Sequence, residues 1–249
     1  VLSSPAHRTL DRIAPEPATL LDLGAGTGSL TLSALGRWSS TRVMALDASD
    51  AMLAVARSRV ADDDRGRVEW LPADAADVPL EDASVEAVVS SFMLQVVADR
   101  PAVLAEAWRV LRPGGSISFV TWLAEDLVLP ADAVYHEVLG DVGGEDEDEG
   151  FRAPRSGDYV ALEQAGDELA AAGFVQAEVV RDELVYAWTA ESYLEFKLRY
   201  DDHERIDSLS TAERARLHHA LSGRLGALPP GDFEVRGPLV AATARRPGH

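Results

Sequence analysis

A doubly wound α/β fold built on a mostly parallel sheet is what this 249-residue sequence predicts. Three observations carry that expectation. Between residues 19 and 122, apolar runs of strand length alternate with amphipathic segments of helix length, as βα units around a sheet buried on both faces require. The first of these runs leads into glycines on alternate residues, Gly24, Gly26 and Gly28. Acidic residues then stand at or just beyond the ends of the first three runs, as Asp22, Asp47 and Asp74.

The expected strands, in order, are residues 19–23, 42–46, 67–71, 85–90 and 116–122, with helices between them. Before the fifth strand, Asp99 can cap a helix that has Pro101 in its first turn. Val103, Leu104, Ala107, Trp108 and Leu111 share one face of it, and Pro113, Gly114 and Gly115 stop it. Residues 123–157 show little periodicity. Residues 158–172 predict a helix ended by Gly173, and residues 174–188 a strand. Helices are expected over 189–200 and 211–225, the second opened by a capping box of Ser210 and Glu213. A last strand at 233–245 completes a seven-stranded sheet. One domain is expected, with a core at 19–122.

Composition narrows the function. Apolar residues make up 47% and charged residues 26%, and no run approaches the roughly 20 apolar residues of a membrane helix. A membrane partner is therefore not expected. Residues 1–17 lack the basic-then-apolar pattern of a secretion signal, which makes the cytoplasm the expected compartment. The absence of Cys excludes disulfides, thiolate metal sites and thiol nucleophiles. A net charge of −19 repels a phosphate backbone, so nucleic acid is excluded as a partner. The acidic run Glu145, Asp146, Glu147, Asp148 and Glu149 reads as a solvated loop, because it lacks calcium-loop spacing; no metal is expected.

The glycine loop, Asp22-Leu23-Gly24-Ala25-Gly26-Thr27-Gly28, lets a ligand lie against bare backbone. A dinucleotide fingerprint begun at Gly24 needs glycine at position 29, and Ser29 stands there. Asp22 attracts an ammonium or a sulfonium and repels a pyrophosphate. Asp47 is placed to accept hydrogen bonds from both ribose hydroxyls, and Asp74 from an adenine amino group.

With these residues in place the sequence resembles the class I, Rossmann-like methyltransferases, in particular small-molecule enzymes similar to those of ubiquinone and menaquinone biosynthesis. The matching segments are Leu21 to Gly28, Ala45 to Leu53, Asp74 to Leu80, Val88 to Ser91 and Arg109 to Gly115. The resemblance implies S-adenosylmethionine as cofactor and S-adenosylhomocysteine as its product. It implies that Asp22, Gly24, Ala25, Gly26, Thr27 and Gly28 hold the methionine part, Asp47 the ribose, and Asp74 with Ala75 the adenine. Ala48 and Met52 would pack on the adenine face, and Ser90 would lie near the methionyl end. It further implies helical insertions at 123–160 and 189–228 that cap a small-molecule acceptor, in a monomer or homodimer.

In-line transfer from an activated methyl asks mainly for alignment, which supplies roughly 7 to 11 kcal/mol. A base is needed only when the acceptor must lose a proton. Tyr135, His136, Tyr159, His203 and Gln95 lie where one could act, and none is singled out. The strand end Ser90-Ser91-Phe92-Met93 lacks the Asn/Asp-Pro-Pro-aromatic motif of amino-directed nucleic-acid and protein methyltransferases. Two other function classes remain. Tyr193 and Lys197 have the spacing of the Tyr-x-x-x-Lys pair of short-chain dehydrogenases, so a nicotinamide-dependent oxidoreductase is one, although the pair reads as helix packing at i and i+4. A non-catalytic subunit that binds S-adenosylmethionine is the other.

Overall fold

The computed structural model describes residues 3–13, 15–125, 127, 129–143 and 156–248, without the side chains of residues 3, 4, 142, 143, 200, 201, 203 and 204. The acidic run at 145–149 lies outside them. Seven strands, β1 (Thr19–Leu23), β2 (Arg42–Asp47), β3 (Val68–Pro72), β4 (Val85–Ser91), β5 (Leu111–Trp122), β6 (Val175–Ala187) and β7 (Glu234–Arg245), form one sheet in the order β3-β2-β1-β4-β5-β7-β6. The pairs β1–β2, β1–β4, β2–β3 and β4–β5 are parallel, and β7 runs antiparallel to β5, from Ser116↔Arg245 to Trp122↔Leu239. This is the doubly wound seven-stranded sheet that the sequence predicts.

The helices are α1 (Ser3–Asp11), α2 (Ser29–Arg37), α3 (Asp50–Arg59), α4 (Arg100–Val110), α5 (Pro130–Gly143), α6 (Leu162–Ala171), α7 (Ala190–Phe196), α8 (His203–Ser208) and α9 (Thr211–Gly226). Alternation along the strands fills both faces. Leu20, Val43, Ala87 and Val89 pack with Ala6, Leu10, Leu30 and Ala34 on one side. Leu21, Met44, Val88 and Phe119 pack with Val103, Leu104 and Ala107 on the other. Burial on both faces is why these strands read as nearly unbroken apolar runs.

Some elements differ from expectation. Pro113, Gly114 and Gly115 do not end α4, which already stops at Val110; they lie within β5. The register against β4 jumps from Val85↔Leu111 to Ala87↔Ser116, so the extra residues form a bulge. A Cβ on Gly115 would stand 2.8 Å from the Glu86 carbonyl oxygen, which explains the glycine. Helix α5 occupies the stretch that showed little periodicity. Its buried Ala131, Tyr135, Val138 and Leu139 do recur at helical spacing, but the equally buried Asp132 breaks the pattern. Helix α9 carries the expected capping box: the Glu213 amide donates to Ser210 Oγ at 3.3 Å and the Ser210 amide to Glu213 Oε2 at 2.9 Å.

The chain divides into two compact units, one from Val1–Ala124, Arg155–Glu183 and Pro238–His249, the other from Glu125–Pro154 and Leu184–Gly237. Among the described residues, no helix is long and apolar enough to cross a membrane. In the first unit the chain winds outward from β1 through β2 to β3, then returns to place β4 on the other side of β1. The carboxyl ends of β1 and β4 thus flank the point where strand order reverses, where open α/β sheets bind ligands.

Candidate cofactor groove

At that reversal the glycine loop leaves β1. The amides of Gly24 and Ala25 donate to the Leu46 carbonyl at 2.9 and 2.8 Å, fastening the loop to the end of β2. Gly24 has φ +80°, and a Cβ there would meet the Met93 side chain at 2.4 Å. A Cβ on Gly28 would meet that of Ala56 at 2.9 Å. Protein packing therefore requires these two glycines. Only over Gly26 is there open space within 4 Å, so only there does the absent side chain leave room for a ligand.

Two cavities meet at Gly24. One, of about 400 Å³, is lined by Asp47, Ala48, Asp74, Ala75 and Ala76 and closed by Met93, Val96 and Val97. The other, of about 200 Å³, is lined by Asp22, Ala25, Gly26, Thr27, Ser91 and Phe92, with Ala6 of α1 on its wall. A groove with one half for a nucleoside and a smaller half for an amino-acid tail fits this division.

The three acids are held differently. Asp47 Oδ2 accepts from the Gly26 amide at 2.8 Å and Oδ1 from the Ser49 amide at 2.9 Å, so it braces the glycine loop from β2. Each oxygen keeps a further lone pair. Asp74 is exposed, and its Oδ1 accepts from the Ala76 amide at 2.9 Å, an Asx turn. Asp22 is 1% exposed; its Oδ2 accepts from Thr31 Oγ1 at 2.6 Å, while its Oδ1 has no hydrogen-bond partner. Burial pushes the Asp22 carboxyl up to about 6, against the lowering effect of Thr31 and with a smaller upward push from Asp47.

Of the residues expected at the cofactor, Asp22, Gly24, Ala25, Gly26, Thr27, Asp47, Ala48, Asp74 and Ala75 line the two halves. Gly28, Met52 and Ser90 do not belong to that lining. Met52 lies 46% exposed on α3. Ser90 turns inward and donates from Oγ to the Leu23 carbonyl at 2.8 Å, tying β4 to β1, so strand alternation brings Ser91 to the groove instead. Sequence reasoning missed Phe92. Its φ of +55° is a strained conformation for a bulky residue, and its ring lies 5.3 Å from that of Trp122. Its place just past β4 was the available signal.

Two of the candidates for a base, Gln95 and Tyr159, are engaged elsewhere. Gln95 Nε2 donates to the Phe92 carbonyl at 2.6 Å and its Oε1 accepts from Thr121 at 2.5 Å. Tyr159 is buried with its hydroxyl on Glu168 at 2.8 Å; burial and the Glu168 charge push the phenol well above its ordinary range, so it is no base. Tyr135 and His136 sit in the second unit, and the His203 side chain lies outside the described residues.

In that unit a buried carboxylate, Asp132, gathers Tyr193 Oη at 2.6 Å, Lys197 Nζ at 3.1 Å and His136 Nε2 at 3.2 Å. Lys197 also lies 4.8 Å over the Tyr135 ring. Burial opposes the charge on Asp132, but His136, Tyr193 and Lys197 outweigh it and hold the carboxyl at about 2. Tyr193 and Lys197 are thus more than neighbours on one helix face: both are committed to Asp132, an arrangement unlike an oxidoreductase pair turned to a cofactor.

The comparisons agree with this geometry. Residues 21–119 match a family described as a methyltransferase domain. A demethylmenaquinone methyltransferase of Clavibacter sepedonicus is 49% identical over 98 residues, covering 39% of this chain and 38% of its own length. A malonyl-[acyl-carrier protein] O-methyltransferase of Halorhodospira halophila is 36% identical over 182 residues, covering 68% of this chain and 54% of its own. The chain thus spans about half or less of the curated relatives it matches. In fold it is similar to the YcgJ protein of Bacillus subtilis, with TM-score 0.62, 15% identity and coverage of 98% and 99%. It is also similar in fold to a Haemonchus contortus phosphoethanolamine N-methyltransferase solved with S-adenosyl-L-methionine, with TM-score 0.58, 22% identity and coverage of 98% and 52%. With the strand order, the glycine loop and the matched segment in agreement, residues 21–119 are the core of a class I methyltransferase domain, whose cofactor is S-adenosylmethionine.

Proposed function

We propose that the protein transfers a methyl group from S-adenosylmethionine to a small-molecule acceptor. The observation that carries this is the divided groove at the strand-order reversal, with a buried, half-satisfied carboxylate in the wall of its smaller part. A carboxylate short of hydrogen-bond donors is costly unless a cation comes near. S-adenosylmethionine brings two such cations, an ammonium and the sulfonium that makes its methyl transferable. Asp22 holds the field that draws them in, and the loop amides orient the amino-acid tail. Asp47 offers its remaining lone pairs to the ribose hydroxyls, and Asp74 with Ala75 reads the adenine edge. Ala48 supports the adenine face. The net charge of −19 supports a small-molecule acceptor over nucleic acid.

Alignment and exclusion of water are the work assigned to the chain, in which Tyr159 and Gln95 are committed to internal partners. Calorimetry with S-adenosylmethionine, S-adenosylhomocysteine and NADH tests the reading. The first two are expected to bind at micromolar levels and NADH not at all. Binding of NADH alone, or no binding at millimolar supply, overturns it.

A further inference from the structure

Thr31 is fully buried on the sheet-facing side of α2, among Leu30, Ala34 and Leu35. A hydroxyl in an apolar stripe is retained only if it has a partner. Its partner is Asp22, at 2.6 Å. Because Oδ2 is taken, Oδ1 is the oxygen left over in a side chain that lines the methionine half of the groove. We infer that Thr31 is a positioning residue, which keeps Asp22 ionisable and its second oxygen in reserve for the cationic end of the cofactor. The inference rests on the function proposed above and adds regulation to it: capture of the cofactor is linked to loss of a proton.

The surroundings support this. Asp47 on β2 adds a like charge. The Arg59 guanidinium of α3 is spent on the Thr27 carbonyl, at 2.6 Å. From α1 and β4 the same cavity receives Ala6 and Ser91, which are uncharged. Thr31 is thus the side-chain donor that favours the anion. With Asp22 at about 6, a fraction of ligand-free molecules near that pH carries it protonated. Binding of the cation favours the carboxylate, and the proton passes from Asp22 to the buffer.

Thr31→Val keeps the shape and removes the donor, whereas Thr31→Ser keeps the donor. The first readout needs no ligand: unfolding free energy is followed against pH for each variant and for its Asp22→Asn counterpart, and the difference curve inflects where Asp22 titrates. Thr31→Val is expected to move that inflection upward by about one pH unit, a tenfold shift in proton affinity, and Thr31→Ser to leave it in place. The second readout is S-adenosylmethionine affinity by calorimetry in buffers of different ionisation enthalpy. Thr31→Val should weaken binding about threefold at pH 6.5, with more protons released, and have little effect at pH 9, where Asp22 is ionised in both proteins. A purely structural role would weaken binding equally at both values. An unmoved inflection, or a loss independent of pH, overturns the inference. Should Thr31→Val not fold, Thr31→Ala provides the same comparison. If the unsubstituted protein does not bind S-adenosylmethionine, the proposed function falls, while the ligand-free titration still decides the role of Thr31.

Discussion

Asp22 in the first unit and Asp132 in the second are both buried, 1% and 3% exposed, yet they are driven in opposite directions. Asp22 has one side-chain donor, and burial lifts it to about 6. Asp132 is approached by three, from Tyr193, Lys197 and His136, and is held at about 2. Burial alone therefore does not decide the charge of a carboxylate; the number and kind of donors turned to it does. Each leaves one oxygen without a hydrogen-bond partner, Oδ1 of Asp22 and Oδ2 of Asp132, so the contrast lies in charge: Asp132 has the Lys197 ammonium beside it, whereas the side-chain donor to Asp22 is the neutral hydroxyl of Thr31.

The largest effect that can break this contrast is expected at Asp132. Asp132→Ala strands the Lys197 ammonium in the interior and should cost about 3 to 5 kcal/mol of stability in denaturant unfolding at pH 7. Because Asp132 is depressed, its contribution is present above about pH 4 and lost as pH falls toward 2, so the deficit should shrink on acidification. A loss below about 1 kcal/mol would mean that the cluster is not a structural tie.

Asp22 should behave in the reverse sense. A raised acid stabilises the fold below its unfolded value near 3.8 and loses that stabilisation as pH rises through about 6. Asp22→Asn should therefore stabilise the ligand-free protein at pH 8, by up to about 3 kcal/mol, and make no difference below pH 4. The same substitution should weaken S-adenosylmethionine binding, read by calorimetry. Destabilisation at pH 8 would show that Asp22 serves the fold as Asp132 does.

Asp47 lies between the two, satisfied by two backbone amides yet lining the groove. Asp47→Ala is expected to weaken S-adenosylmethionine binding by about 1 to 3 kcal/mol. An unchanged dissociation constant would remove Asp47 from the ribose site. The smallest effect belongs to the Ser210 cap: Ser210→Ala should lower thermal stability by about 1 kcal/mol without changing cofactor affinity.

The sheet and the glycine loop were legible in the sequence because both rest on local chemistry. Strands covered on two faces read as apolar runs, and a loop that must turn sharply beside Met93 and Ala56 displays its glycines. What the sequence did not disclose depends on the partner across the fold. The single position that separates Ser90 from Ser91 is set by pleat phase, which residue type does not record. Thr31 reads as one more helix residue until Asp22 is seen at 2.6 Å. Helix α5 was hidden because Asp132 occupies a core position, and a charged residue there makes sense only once Lys197, distant in sequence, is beside it.

Lys197 is the one lysine among 249 residues, and it is 2% exposed. Amine-selective reagents therefore meet no lysine at the surface of these 249 residues: the one they contain is sealed in the second unit at the start of a π-helical turn. Acylation of that side chain can proceed no faster than the second unit opens to expose it. A single mass shift on one peptide thus becomes a clock for breathing of that unit, with no engineered label and no competing lysine to subtract.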